Sequence, residues 1–142
     1  MGYDLKPTNK KIESISFGAF FWPIILQETG MGYVIGYGEG REPATYVYRT
    51  GNKGSPASND GFNVSSTEAK AMAMVARGFV LVQRFIAKSW EEIPEQERER
   101  QKAIKNHDGT KPLYKTAWHE DRLKLIEKFA EFAEQSKGFS IR

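Results

Sequence analysis

Ser65 and Glu68 stand three residues apart at the junction between a glycine-broken polar stretch and a long apolar repeat, and this spacing fixes where a helix must start. In a capping box the serine hydroxyl accepts the amide proton three residues on, and the glutamate reaches back to the serine's own amide, so two otherwise free donors are satisfied together. Downstream, Met72, Val75, Phe79, Val82 and Ile86 recur at alternating three and four, and Met74, Leu81 and Phe85 add a second apolar side. The spacing predicts a long helix central to the core. Its remaining face carries Lys70, Arg77, Arg84 and Lys88, which fall within about 40° of one another at roughly 100° per residue. They form a wholly basic stripe.

The first half reads as β-rich. Residues 12–17, IESISF, alternate in a strand-compatible way. Trp22-Pro23 then opens IILQET, a short helix with proline in its first turn and Gly30 where a left-handed cap is wanted. Tyr33 to Tyr37 and Thr45 to Arg49, separated by Gly38, Gly40 and Pro43, have the pattern of a hairpin with a long loop. In the second half, a polar helix begins at or just after Pro94 and ends near Asn106, and His107 to Pro112 is a turn by composition. A last helix runs from about Thr116 to Lys137 with Trp118, Leu125, Ile126, Phe129, Phe132 and Ala133 inward, and Gly138-Phe139 suits a Schellman-type end. The expected fold is α+β: a single domain, 1–142, in which a small antiparallel sheet from the first half packs on three to four helices from the second.

Bulk properties narrow the function classes. The chain has 142 residues, enough for one core and too few for two domains of ordinary size. It has no cysteine, so it has no disulfide framework, thiol nucleophile or thiolate zinc site, and a cytoplasmic protein is expected. The longest largely apolar run, Phe17 to Leu26, is too short to span a bilayer, so no membrane partner is expected. The net charge of +3 lies in residues 61–142, too mild an excess to mark a nucleic-acid protein by itself.

The stretch TGNKGSPASNDGFNVSSTE, residues 50–68, is the expected binding loop. It supplies Lys53, Ser55, Ser58, Asn59 and Asp60, Arg49 leaves the preceding run towards it, and Tyr37 and Tyr48 offer stacking faces. Two cations, hydroxyls and an amide near a helix N-terminus suit an anionic or hydrogen-bonding ligand. Asp60 would repel phosphate unless it reads a ribose hydroxyl or a base amine, and it would equally serve an Asx-turn. The basic stripe Lys70, Arg77, Arg84 and Lys88 would receive an acidic partner, or be neutralised within the chain by the glutamates from 91 to 99 if the backbone turns back at Pro94. Catalysis finds little support: His107 and His119 have no partner at metal-ligand spacing, and Ser58, His119 and Asp60 lack a nucleophile-elbow signature.

The opening MGYDLKP, the SFGAFFWP that follows, and SNDGFNVSSTEAKAMA resemble segments of small uncharacterised proteins of bacteriophages and bacteria. That resemblance brings no activity, cofactor or site residue with it. It implies a phage or phage-exposed source, in which a compact non-enzymatic domain would act as an inhibitor or would sequester a ligand to antagonise host defence. The expectation is therefore a non-enzymatic binding protein without a cofactor, capturing a small anionic ligand of nucleotide type. A protein-interaction module that turns its basic helix face to an acidic protein surface is the alternative, and a nucleic-acid binder is third. Self-association stays open.

Overall fold

Residues 2–37, 54–104 and 117–142 are described by the structure, a computed structural model. Its elements in chain order are β1 (Gly2–Pro7), β2 (Ile15–Gly18), α1 (Phe21–Glu28), a 3-10 helix (Met31–Ile35), β3 (Phe62–Val64), α2 (Ser66–Glu92), α3 (Glu95–Ala103), α4 (Glu120–Gln135) and β4 (Phe139–Ile141). The fold is α+β, with an antiparallel sheet of order β2-β1-β4-β3 and a mostly helical second half.

The sheet draws its two inner strands from opposite ends of the chain. Leu5 faces Ile15 on one side and Ile141 on the other, and Ile141 faces Phe62, so one apolar row crosses all four strands. Phe139 pairs with Pro7 and Val64 to extend that face. Leu5, Phe62, Val64, Phe139 and Ile141 are all buried, as period-2 alternation requires when one face of a sheet is covered. Of these strands only β2 overlaps an expected one, residues 12–17, and it starts at Ile15.

Gly138 makes the turn from α4 into β4 possible. Its φ is +97°, and a Cβ there would lie 2.6 Å from the Val64 carbonyl oxygen. The backbone amides of Thr8 and Asn9 donate to Gly138 O and Ser136 O at 2.8 and 2.7 Å, and the Asn9 side-chain amide donates to Gln135 O at 2.8 Å. Carbonyls left free at the end of α4 are thus met by the chain that leaves β1.

The helix starts and stops set by local chemistry stand where expected. Ser65 caps α2 and both arms of the capping box form: Glu68 N donates to Ser65 Oγ at 3.2 Å, and Ser65 N to Glu68 Oε1 at 3.0 Å. Pro23 sits in the first turn of α1, and Gly30 follows in the left-handed conformation. The expected strand from Tyr33 to Tyr37 is corrected. Gly30 and Gly36, with φ of +82° and +81°, close both ends of a single 3-10 stretch, so these glycines act as helix caps. The partner run, Thr45 to Arg49, lies outside the described residues. Two bounds differ: α3 ends at Ala103, short of the expected Asn106, and α4 begins at Glu120, later than the expected Thr116, behind His119, whose Nδ1 accepts the Asp121 amide proton at 3.2 Å.

The register of α2 also differs from the expected one. Its buried residues are Ala69, Met72, Ala73, Ala76 and Val80, and the helix packs against both α4 and the 3-10 helix. Val75 and Phe79 are only partly buried, and Met74, Leu81, Val82, Phe85 and Ile86 are exposed. The buried side of α2 is largely alanine while that of α4 carries Leu123, Ile126, Phe129 and Phe132, and small side chains on one helix leave room for large ones on its neighbour. Leu125, expected inward, is 43% exposed. The aromatic core beside this contact joins Trp22, stacked on Phe17 with centroids 5.5 Å apart, to Phe129.

Candidate functional site

The expected binding loop is described from Gly54 to Gly61, and its backbone is tied down from within and from without. Within it, Ser58 N and Ser58 Oγ both donate to Ser55 O, at 3.0 and 2.9 Å, while Ser55 N donates to Ser58 Oγ at 2.9 Å. Ala57 N donates to Ser55 Oγ at 3.3 Å, so each serine hydroxyl holds part of one tight turn. From outside, the buried indole of Trp22 donates through Nε1 to Pro56 O at 2.9 Å, and the Tyr3 hydroxyl donates to Ala57 O at 2.7 Å. Gly61 N closes the exit by donating to Ile141 O at 2.9 Å. α1, β1 and β4 thus hold consecutive points of the loop.

What remains outward is the Asn59-Asp60 pair. Both residues are exposed, whereas Pro56 is buried and Ser55, Ala57 and Ser58 are half-buried. Asp60 folds its carboxylate over Gly54, where a Cβ would come within 2.8 Å of Oδ2 and where φ is +67°. Only a residue without a side chain leaves room for that arrangement. Of the other expected ligand contacts, Tyr37 is half-buried at the exit of the 3-10 helix, its amide donating to Gly32 O at 2.8 Å and its ring lying over Gly32. Arg49, Lys53 and Tyr48 lie outside the described residues. Tyr3 and Trp22, which are not among the expected ligand contacts, are what positions the loop. The available signal was the tryptophan itself, whose indole N–H needs a partner when its ring is buried.

The two arginines of the basic stripe are neutralised by a different element from the expected one. Arg77 makes a two-pronged contact with Glu134, Nε to Oε1 at 2.6 Å and Nη2 to Oε2 at 2.9 Å. Arg84 reaches Glu120 at 2.6 Å and also bonds Glu127. Glu120, Glu127 and Glu134 recur every seven residues and so lie along one face of α4, which packs beside α2. The glutamates from 91 to 99 do not fold back onto the stripe among the described residues: Glu97 pairs with Arg100 at 2.6 Å and Glu99 with Lys102 at 3.7 Å, both within α3. The hydrogen bonds from Arg77 and Arg84 hold the Glu134 and Glu120 carboxyls below their ordinary range. Those from Arg100 and Gln101 lower Glu97 to about 2. Lys70 and Lys88 are exposed and enter no ion pair among the described residues.

No family model, curated protein or solved structure matches the chain. Among the described residues no helix is long and apolar enough to cross a membrane, α2 included. His107 lies outside the described residues, and His119 is used as the cap of α4. The Ser58 hydroxyl donates to Ser55 O at 2.9 Å.

Proposed function

We propose that the protein is a non-enzymatic, cytoplasmic binding protein that captures a small anionic ligand of nucleotide type at the loop ending in Asn59-Asp60. One observation carries the reading. The loop backbone is fixed by Trp22, Tyr3 and its own serines, while the two polar side chains at its tip make none of those ties. A loop built this way presents polar groups already ordered, so less conformational entropy is lost when a ligand arrives. Asn59 would bond a base edge and Asp60 a ribose hydroxyl or base amine. The positive charge for phosphate would come from Lys53 and Arg49, just upstream in sequence.

The resembling segments favour the same place. GYDLKP is β1, FWP opens α1, and SNDGFNVSSTEAKAMA holds Asn59 and Asp60 together with β3 and the first turns of α2. Tyr3 and Trp22, the two anchors of the loop, belong to the first two segments. In a phage setting, sequestering a nucleotide signal would antagonise host defence. The alternative of an acidic partner on the basic face is weaker, because such a partner would have to displace Glu134, Glu127 and Glu120 from the arginines.

Calorimetry against a panel of mono-, di- and cyclic nucleotides tests the proposal. Binding is expected for wild type, with at least tenfold loss in Asn59→Ala and in Lys53→Ala and a melting temperature near that of wild type in both. No heat with any nucleotide, or equal affinity in wild type and Asn59→Ala, would remove the loop from the function.

A further inference from the structure

The outward face of α2 is apolar over about three turns and lies opposite the helix's buried side. Met74, Leu81 and Phe85 are 75%, 71% and 70% exposed, and Val82 adds a further exposed side chain. Met74, Leu81 and Phe85 belong to a heptad seam. Ala71, Met74, Gly78, Leu81, Phe85 and Lys88 alternate in steps of three and four, the a/d spacing of a helix pair, whereas the residues packed on α4 occupy the opposite side. Soluble chains seldom leave so continuous a patch bare.

The geometry points to a second copy of this chain as the occupant, with the two α2 helices packed antiparallel about a two-fold axis near Gly78 and Leu81. In an antiparallel pair each a position faces a d position of the partner helix, so large and small side chains meet. Gly78 faces the second copy's Leu81, and Met74 faces its Phe85. Beside the seam, Val75 meets Val82 of the other copy. The flanking charges also agree: Lys70 at one end of the seam meets Glu91 at the other, twice by symmetry, and both are exposed and in no ion pair among the described residues. Arg77 and Arg84 come together across the axis, but each is already neutralised by α4 of its own chain. A parallel pair fails on the same residues. It would stack Lys88 on Lys88 and Glu92 on Glu92, and it would leave a hole where Gly78 faces Gly78.

The area is adequate. At these exposures Met74, Leu81, Val82 and Phe85 offer on the order of 500 Å² of apolar surface per copy, against about 800 Å² per partner in a standard interface. The stem of Lys88 within the seam and those of Lys70 and Arg84 beside it supply much of the difference.

Sedimentation equilibrium on the whole chain tests this. Wild type is expected to be a concentration-dependent dimer, and Leu81→Glu with Phe85→Glu a monomer with an unchanged circular dichroism spectrum, because both positions are exposed. Lys70→Glu is expected to weaken association at least fivefold, and adding Glu91→Lys to restore it, which keeps the test intact if the double glutamate variant does not fold. The chain has no cysteine, so a mixture of Lys70→Cys and Glu91→Cys proteins should yield a disulfide-linked dimer that neither yields alone. Wild type that stays monomeric at the highest soluble concentration, or a dimer that survives the Leu81→Glu, Phe85→Glu change, would overturn the proposal. Cross-linking of Lys70→Cys with itself would overturn the antiparallel arrangement.

Discussion

Trp22→Phe separates the loop from the core with little change to the aromatic cluster. Trp22 is fully buried, its ring stacks on Phe17 and tilts against Phe129, and its Nε1 donates to Pro56 O at 2.9 Å. Phenylalanine keeps an aromatic ring in that place but removes the donor and about three ring atoms. Pro56 is buried, so its carbonyl is left without a partner at a cost of about 1 to 3 kcal/mol. The lost ring volume adds about 1 to 2 kcal/mol in transfer and cavity terms. The expected loss is thus about 2 to 5 kcal/mol, a large share of the roughly 5 to 15 kcal/mol available to a domain of this kind. Urea denaturation followed by far-ultraviolet circular dichroism measures it without relying on tryptophan emission. Tyr3→Phe, which removes only the hydroxyl bonded to Ala57 O, should cost about 0.5 to 1.5 kcal/mol. Because both anchors hold adjacent carbonyls of one loop, the double variant should lose less than the sum of the two. Amide exchange at residues 57–60 should accelerate in each. A change below about 0.5 kcal/mol for Trp22→Phe, with slow exchange retained in the loop, would refute the claim that the indole holds it.

Two further outcomes follow from the helix pair. Ala76→Leu should cost about 1 to 3 kcal/mol by overpacking against α4, whereas Phe85→Ser, measured where the protein is monomeric, should stay within about 0.5 kcal/mol; the reverse order of denaturation midpoints would mean that α2 is rotated. Glu134 has its carboxyl held low in the folded state by Arg77, so its contribution is present above the unfolded value near 4.5 and is lost as pH falls through the lower folded value. Being largely exposed, the pair is worth only about 0.2 to 1 kcal/mol, and Glu134→Gln should flatten the acid limb of a stability-against-pH curve by no more than that. A steeper acid limb in the variant would show that the pair does not stabilise the fold.

The parts of the fold that were legible in the sequence are those decided within one turn of chain. The Ser65–Glu68 capping box, the proline of α1 and the glycine after it each satisfy or release backbone groups locally, so residue type and spacing are enough. β1, β3 and β4 were not legible. β3 and β4 have three residues each, too few to show alternation, and they are strands only because each finds a partner far away in sequence. The 3-10 stretch was misread for a related reason: Tyr33, Val34 and Ile35 carry strand propensity, but φ near +80° at the glycines on both sides sets the backbone. In α2 the ranking of hydrophobicity misled. The largest apolar side chains are expected in the core, whereas close packing of α2 on its neighbours favours small ones and buries Ala69, Ala73 and Ala76.

The candidate site divides along the same line. That residues 54–61 form a loop could be read from Gly54, Pro56 and Gly61, and that the loop carries polar groups is plain from their identity. Which of those groups are spent and which are offered could not be read, because it depends on partners that arrive from β1, α1 and β4. Ser55 and Ser58 resemble Asn59 and Asp60 in polarity, yet the serines are spent on one another while the next two residues stay exposed. The same holds for the basic stripe. Four aligned cations look like a docking face until Glu120, Glu127 and Glu134, more than thirty residues later in the chain, are laid beside Arg77 and Arg84. What those pairs leave bare is the apolar side of α2 one step round the helix, at Met74, Leu81 and Phe85. Charge marked where the chain meets itself, and the uncovered apolar seam marks where a second molecule can meet it.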